Sequence, residues 1–222
     1  MRAPTSHRTP SWVSLAAVVA GLLYCSWPLG YWLSPAANRG LASNLEAPSQ
    51  PYYWLFVLLD IVSGSLITLV AWMLFRRLTK RQRNRWLVAA LAGFASFGVL
   101  TIIDAVLPIN CVSTVQKCQS VWRDPSFIIH GVASIGSIYG LTLTIVSVWW
   151  LLIRDRRTGT LLRSLLHSTM VVWFSFGAMT AVLIGLDVSS ALAQHIFIIV
   201  CSLWTAATPY LTQRARVAYQ KA

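Results

Sequence analysis

Asp60, Asp104, His130 and His195 are ionisable residues set inside or at the ends of long apolar stretches. Charge there is costly, roughly 2.5–3.5 kcal/mol for a central aspartate on insertion scales, so such groups face one another or a wet cavity. If the stretches are helices entered alternately from the two faces of a bilayer, all four residues fall in the same outer half. Asp60 then lies about 12 Å below the start of its helix, at 1.5 Å per residue. Imidazole and carboxylate together suit metal binding or acid–base chemistry. His130, His195 and Asp60 form a candidate zinc set with an open position for water, and the same three with Asp104 form the candidate catalytic set. Neither a His-x-x-x-His nor a His-Glu-x-x-His pattern supplies two ligands from one helix. Haem between the two histidines is the lesser cofactor reading, because no second pair exists for an electron path across the membrane. The plain alternative is that these groups pair across helices and fix packing, which suits Asp104 and Asp187 best.

Small and hydroxylated residues share their helical faces. Ser63 and Gly64 follow Asp60, while Ser134 and Ser137 follow His130 at i+4 and i+7. Gly136 and Gly140, four apart, would let a neighbouring helix come close. Cys111 and Cys118 share a loop on the same side as the four ionisable residues, where a disulfide between them is expected in an oxidising compartment. Cys25 and Cys201 read as packing residues, and His167 as an interfacial one.

The elements that must position these groups are transmembrane helices. Of 222 residues 56% are hydrophobic and 11% charged, with mean hydropathy +0.63, outside the range of soluble domains. Apolar runs long enough to cross about 30 Å of hydrocarbon cover approximately 12–33, 53–75, 86–107, 127–153, 165–186 and 191–211. The fold expected is all-α, a polytopic bundle of six helices forming a single domain over 1–222.

The net charge of +12 does not indicate a nucleic-acid partner. Basic residues concentrate at 76–85, 154–163 and 214–221, between or after apolar runs, which is the positive-inside pattern. That distribution predicts both termini in the cytoplasm and favours contact with anionic lipid headgroups. The first run outlasts a signal-peptide core, and Trp27, Tyr31 and Trp32 suit a membrane interface, so it reads as a retained span. Trp12, Trp32, Trp54, Trp86 and Trp122 read as interface anchors.

The segment Ser43-Asn-Leu-Glu46-Ala-Pro-Ser-Gln50-Pro51-Tyr52-Tyr-Trp-Leu-Phe56, with Asp60 and Gly64 after it, resembles a bacterial membrane family, domain of unknown function 998. Asp104-x-x-x-Pro108 and His130-Gly131 are similar to its second block. The resemblance implies a multi-pass protein of the bacterial inner membrane and carries no activity with it. The Cys111 and Cys118 segment departs from the family pattern. The function expected is a polar pocket in the outer half of the bilayer that binds a lipid or small amphiphile. Metal-assisted hydrolysis or transfer at a lipid headgroup would be its catalytic form. The alternative class is a non-catalytic transporter, sensor or assembly partner, but a proton conduit would need ionisable groups across the whole membrane.

Overall fold

The computed structural model describes residues 9–35, 40–78, 84–107, 125–155, 158–185 and 191–220. They form helices α1 (Ser11–Tyr24), α2 (Gly30–Leu33), α3 (Tyr53–Arg76), α4 (Arg85–Val106), α5 (Pro125–Arg154), α6 (Thr160–Gly185) and α7 (Ala191–Gln220). Among the described residues, five stretches are long and apolar enough to cross a membrane: Ser11–Leu33, α3, α4, α5 and Leu192–Val217. The remaining long helix, α6, has 26 residues, and its sequence from Met170 to Ile184 carries no charge. Leu22, Val132 and Leu203 are among many large apolar side chains left exposed around the bundle, as a surface solvated by lipid requires.

The first span is not the single rod expected for 12–33. After α1 the chain turns at Cys25, runs through a 3₁₀ turn at Trp27–Leu29 and resumes as α2. Pro28 has no N–H to give the Tyr24 carbonyl four residues back, so a continuous helix would lose a bond and meet a clash there. Other ends shift for simpler reasons. Asn84 accepts a bond from the Trp86 N–H and starts α4, Pro125 opens α5, and α7 continues through Pro209 to Gln220.

Neighbours around the bundle run α1, α3, α4, α5, α6 and α7, and α7 also reaches inward to α4 and α3. Glycines set the closest approaches. A Cβ on Gly93 of α4 would stand 2.5 Å from the Gly140 carbonyl oxygen of α5, and one on Gly64 of α3 would stand 2.5 Å from that of Gly98 of α4. Gly21 of α1 meets the Ser202 backbone of α7 in the same way. Dispersion between backbones that close replaces the hydrophobic drive that lipid cannot supply. Buried hydroxyls tie further pairs: Ser63 donates to the Ala20 carbonyl (2.8 Å) and Thr144 to that of Ala90 (2.9 Å).

The two ends of this bundle differ. Arg76, Arg85, Arg154 and Arg214 each lie over an aromatic ring, of Trp72, Trp86, Trp150 and Tyr210, at 4.0 to 5.5 Å from its centroid. His167, at the same end, is exposed and packs edge-on against Trp149. The opposite end holds a cavity.

Candidate functional site

The cavity, about 370 Å³, opens among the ends of α1, α3, α4, α5 and α7. Its walls are mostly apolar, with Trp27, Phe56, Phe127 and Phe197 among them. Into it come Asp60 from the third turn of α3, Asp104 from the last turn of α4 and His130 from the second turn of α5. Antiparallel neighbours bring an early turn of one helix level with a late turn of the next, which explains that common height.

His130 is fixed by α4. Its Nδ1 lies 3.0 Å from the carbonyl oxygens of Asp104 and Leu107 and 3.2 Å from Asp104 Oδ1. All three are acceptors, so Nδ1 carries the hydrogen and Nε2 is the nitrogen left to exchange a proton. Ser134, one turn further along α5, donates to Asp104 Oδ1 at 2.6 Å. The pattern therefore differs from a nucleophile triad, in which the hydroxyl would face the imidazole. The Asp104 carbonyl also accepts the Leu107 N–H at 3.3 Å, so His130 joins the turn that closes α4.

His195 occupies the second turn of α7 at the same end but is not among the residues lining the cavity. Its ring lies flat against Trp27, with centroids 4.0 Å apart and planes 3° from parallel, and is 3% exposed. The break in the first span is what delivers Trp27 to that position. Gln194, beside it, does line the cavity and accepts a bond from the Ala42 N–H at 2.6 Å.

That bond anchors a participant which the spacing of the apolar runs does not reveal. The connection between the first span and α3 folds inward as a 3₁₀ turn, Ala42–Glu46, packing against α3 and α7. Leu45 and Ala47 bury against Phe56, with Trp27 and Leu33 beside them, and Glu46 enters the cavity only 6% exposed. Glu46 and Asp60 interact carboxyl to carboxyl. Burial pushes the Glu46 carboxyl well above its ordinary range, and Asp60 and Asp104 push it further. Its Oε2 is buried without a hydrogen-bond partner. The turn leading on to α3 holds Tyr52 at φ 60°, a left-handed conformation that costs a side-chain-bearing residue about 1 kcal/mol or more. The apolar residues flanking Glu46, at Leu41, Leu45 and Ala47, were the available sign that this connection packs inward.

Ser63 and Gly64 turn to neighbouring helices rather than to the cavity, whereas Ser134 and Ser137 line it. Among the described residues, no group of three or more His, Cys, Asp or Glu side chains stands close enough to hold a metal ion. Cys25 and Cys201 are free thiols. Cys111, Cys118, Asp124 and Asp187 lie outside the described residues.

No curated protein and no solved structure matches the chain. One family does, over residues 17–208, a range that takes in every residue of the cavity. A chain matched from its first span to deep within its last belongs to that family, described as protein of unknown function (DUF998).

Proposed function

We propose that this protein crosses the bacterial inner membrane six times, with both termini cytoplasmic, and binds an amphiphile in a cavity within the outer half of the bilayer. The observation supporting the ligand reading is the cavity itself. Its volume of about 370 Å³ falls within the usual range of small-molecule sites, its walls are apolar, and its polar groups converge at one level. An acyl chain would meet the aromatic walls while a polar head reached Glu46, Asp60 and His130. The basic clusters at 76–85 and 154–163 support the orientation. A Cys111–Cys118 disulfide on the outer side belongs to the same proposal.

Orientation is tested by reporter fusions at Lys80 and Arg157, both expected to report cytoplasm; periplasmic activity at either site would overturn it. Ligand binding is tested by native mass spectrometry of the full chain taken from membranes. An amphiphile retained by the wild type and lost from Phe56→Trp, which fills the cavity wall, is the expected result. A wild type without any retained or added amphiphile would overturn the reading.

Catalysis at this site is the second reading, with His130 as acid or base and Asp60 as base. The three oxygens around His130 Nδ1 favour it, because they set the ring's tautomer and orientation. Turnover of reconstituted lipids that disappears in His130→Gln would establish it; unchanged lipid after prolonged incubation with the wild type would exclude it for the lipids tested.

A further inference from the structure

The three carboxyl groups of the cavity are not equivalent. Asp104 has Ser134 and His130 against it, whereas Glu46 and Asp60 have each other. Among the described residues lining the cavity there is no lysine or arginine. Glu46 is 6% exposed, and its Oε2 is buried at the cavity without a hydrogen-bond partner. A buried acceptor without a partner costs free energy, so its persistence beside an open volume marks a place for a donor. Two facing carboxyls can share one proton or take a cation between them.

We propose that the cavity holds the ammonium group of an amphiphilic amine between Glu46 and Asp60, with its apolar body along the aromatic wall. This rests on the amphiphile reading above and adds the chemistry of the head. A bare metal ion fits less well, because it needs several ligands at once at about 2.0–2.6 Å and no such group of three stands together among the described residues. An ammonium needs only hydrogen-bonding distance to one or two acceptors, and it gains from nearby aromatic rings such as Trp27 and Phe56. An anionic head would meet two carboxyls with no lysine or arginine among the described lining residues to offset them. The ammonium could belong to a free long-chain amine or to a phospholipid headgroup, since the chemistry presented is the same.

The test uses the full chain in an uncharged detergent with three probes of one chain length: dodecylamine, dodecanol and dodecyl phosphate. Calorimetry is expected to give dodecylamine about tenfold tighter than dodecanol, with dodecyl phosphate weakest. Glu46→Gln should bring the amine-to-alcohol ratio to about one, while Glu46→Asp, which keeps a carboxyl able to ionise against the ammonium, should retain part of it. Equal binding of all three probes, or tightest binding of the phosphate, overturns the ammonium inference and leaves the amphiphile reading standing. Failure of all three to bind overturns both. Nanodiscs of uncharged glycolipid, with and without phosphatidylethanolamine, separate the sources. Competition by phosphatidylethanolamine assigns the headgroup, and undiminished amine binding in its presence assigns the free amine.

Discussion

The cavity end and the arginine end of the bundle solve the same problem with opposite charges. At the arginine end, each of four guanidinium groups lies over an aromatic ring on its own helix, one to four residues away. At the cavity end, the carboxyls depend on other elements: Asp104 on α5, and Asp60 on the segment before α3. Arginine has a long stem that carries its charge to the interface, whereas aspartate has one methylene and must have its partner brought to it. The carboxyls of the cavity end are therefore supported by tertiary contacts, and these four arginines by local ones.

The most severe test of this contrast is mechanical. Gly93 joins α4 to α5 between the two ends, and Gly93→Leu would drive a side chain into the Gly140 backbone. A loss of about 3 kcal/mol or more is expected in detergent unfolding, with both ends lost together. Loss of the arginine end alone would mean the ends are separate bodies. Next in size, Asp104→Ala removes the acceptor of Ser134 and one acceptor of His130, and should cost on the order of 2 kcal/mol. If Ser134→Ala in the Asp104→Ala background costs as much as it does alone, the two side chains are not coupled and the tertiary reading fails.

A pH series sharpens the contrast further. The Glu46 carboxyl is raised by folding, so the folded state holds its proton over a range in which the unfolded chain releases it. Stability from this group is complete below the ordinary carboxylate range and is lost as pH rises through the raised value, by at most about 1.4 kcal/mol per pH unit. The groups facing it are Asp60 of α3, Asp104 of α4 and Tyr24 of α1, with His130 of α5 in the same cavity. Amide exchange at Leu45 and Glu46, corrected for its intrinsic pH dependence, should therefore rise with pH in the wild type and stay level in Glu46→Gln. The smallest effect is expected at the other end. Arg154→Ala should cost about 0.5–1 kcal/mol, and a loss as large as that of Asp104→Ala would erase the distinction between local and tertiary support.

The same distinction explains what could be read from the sequence. Depth was legible, because helical rise converts position into height, and Asp60, Asp104 and His130 do border one cavity. Azimuth was not. His195 sits at the same end yet faces Trp27, and only the break at Pro28, hidden inside a continuous apolar run, brings that indole to it. The spans over α3, α4 and α5 lie close to their expected limits, since charged residues and turn formers bound them. Glu46 was legible as part of an outer connection and of the family segment but not as a cavity residue, because helical periodicity says nothing about burial in a connection.

The carboxyl pairs also differ in the order in which a growing chain presents them. Glu46 precedes Asp60, so when α3 enters the bilayer the group that meets its aspartate has already been synthesised. Asp104 must wait, because His130 and Ser134 follow it by 26 and 30 residues. During synthesis α4 thus carries an unpartnered acid until α5 emerges. This favours insertion of α4 and α5 as a hairpin, with the close Gly93–Gly140 contact as the place where the two helices of that hairpin first lock.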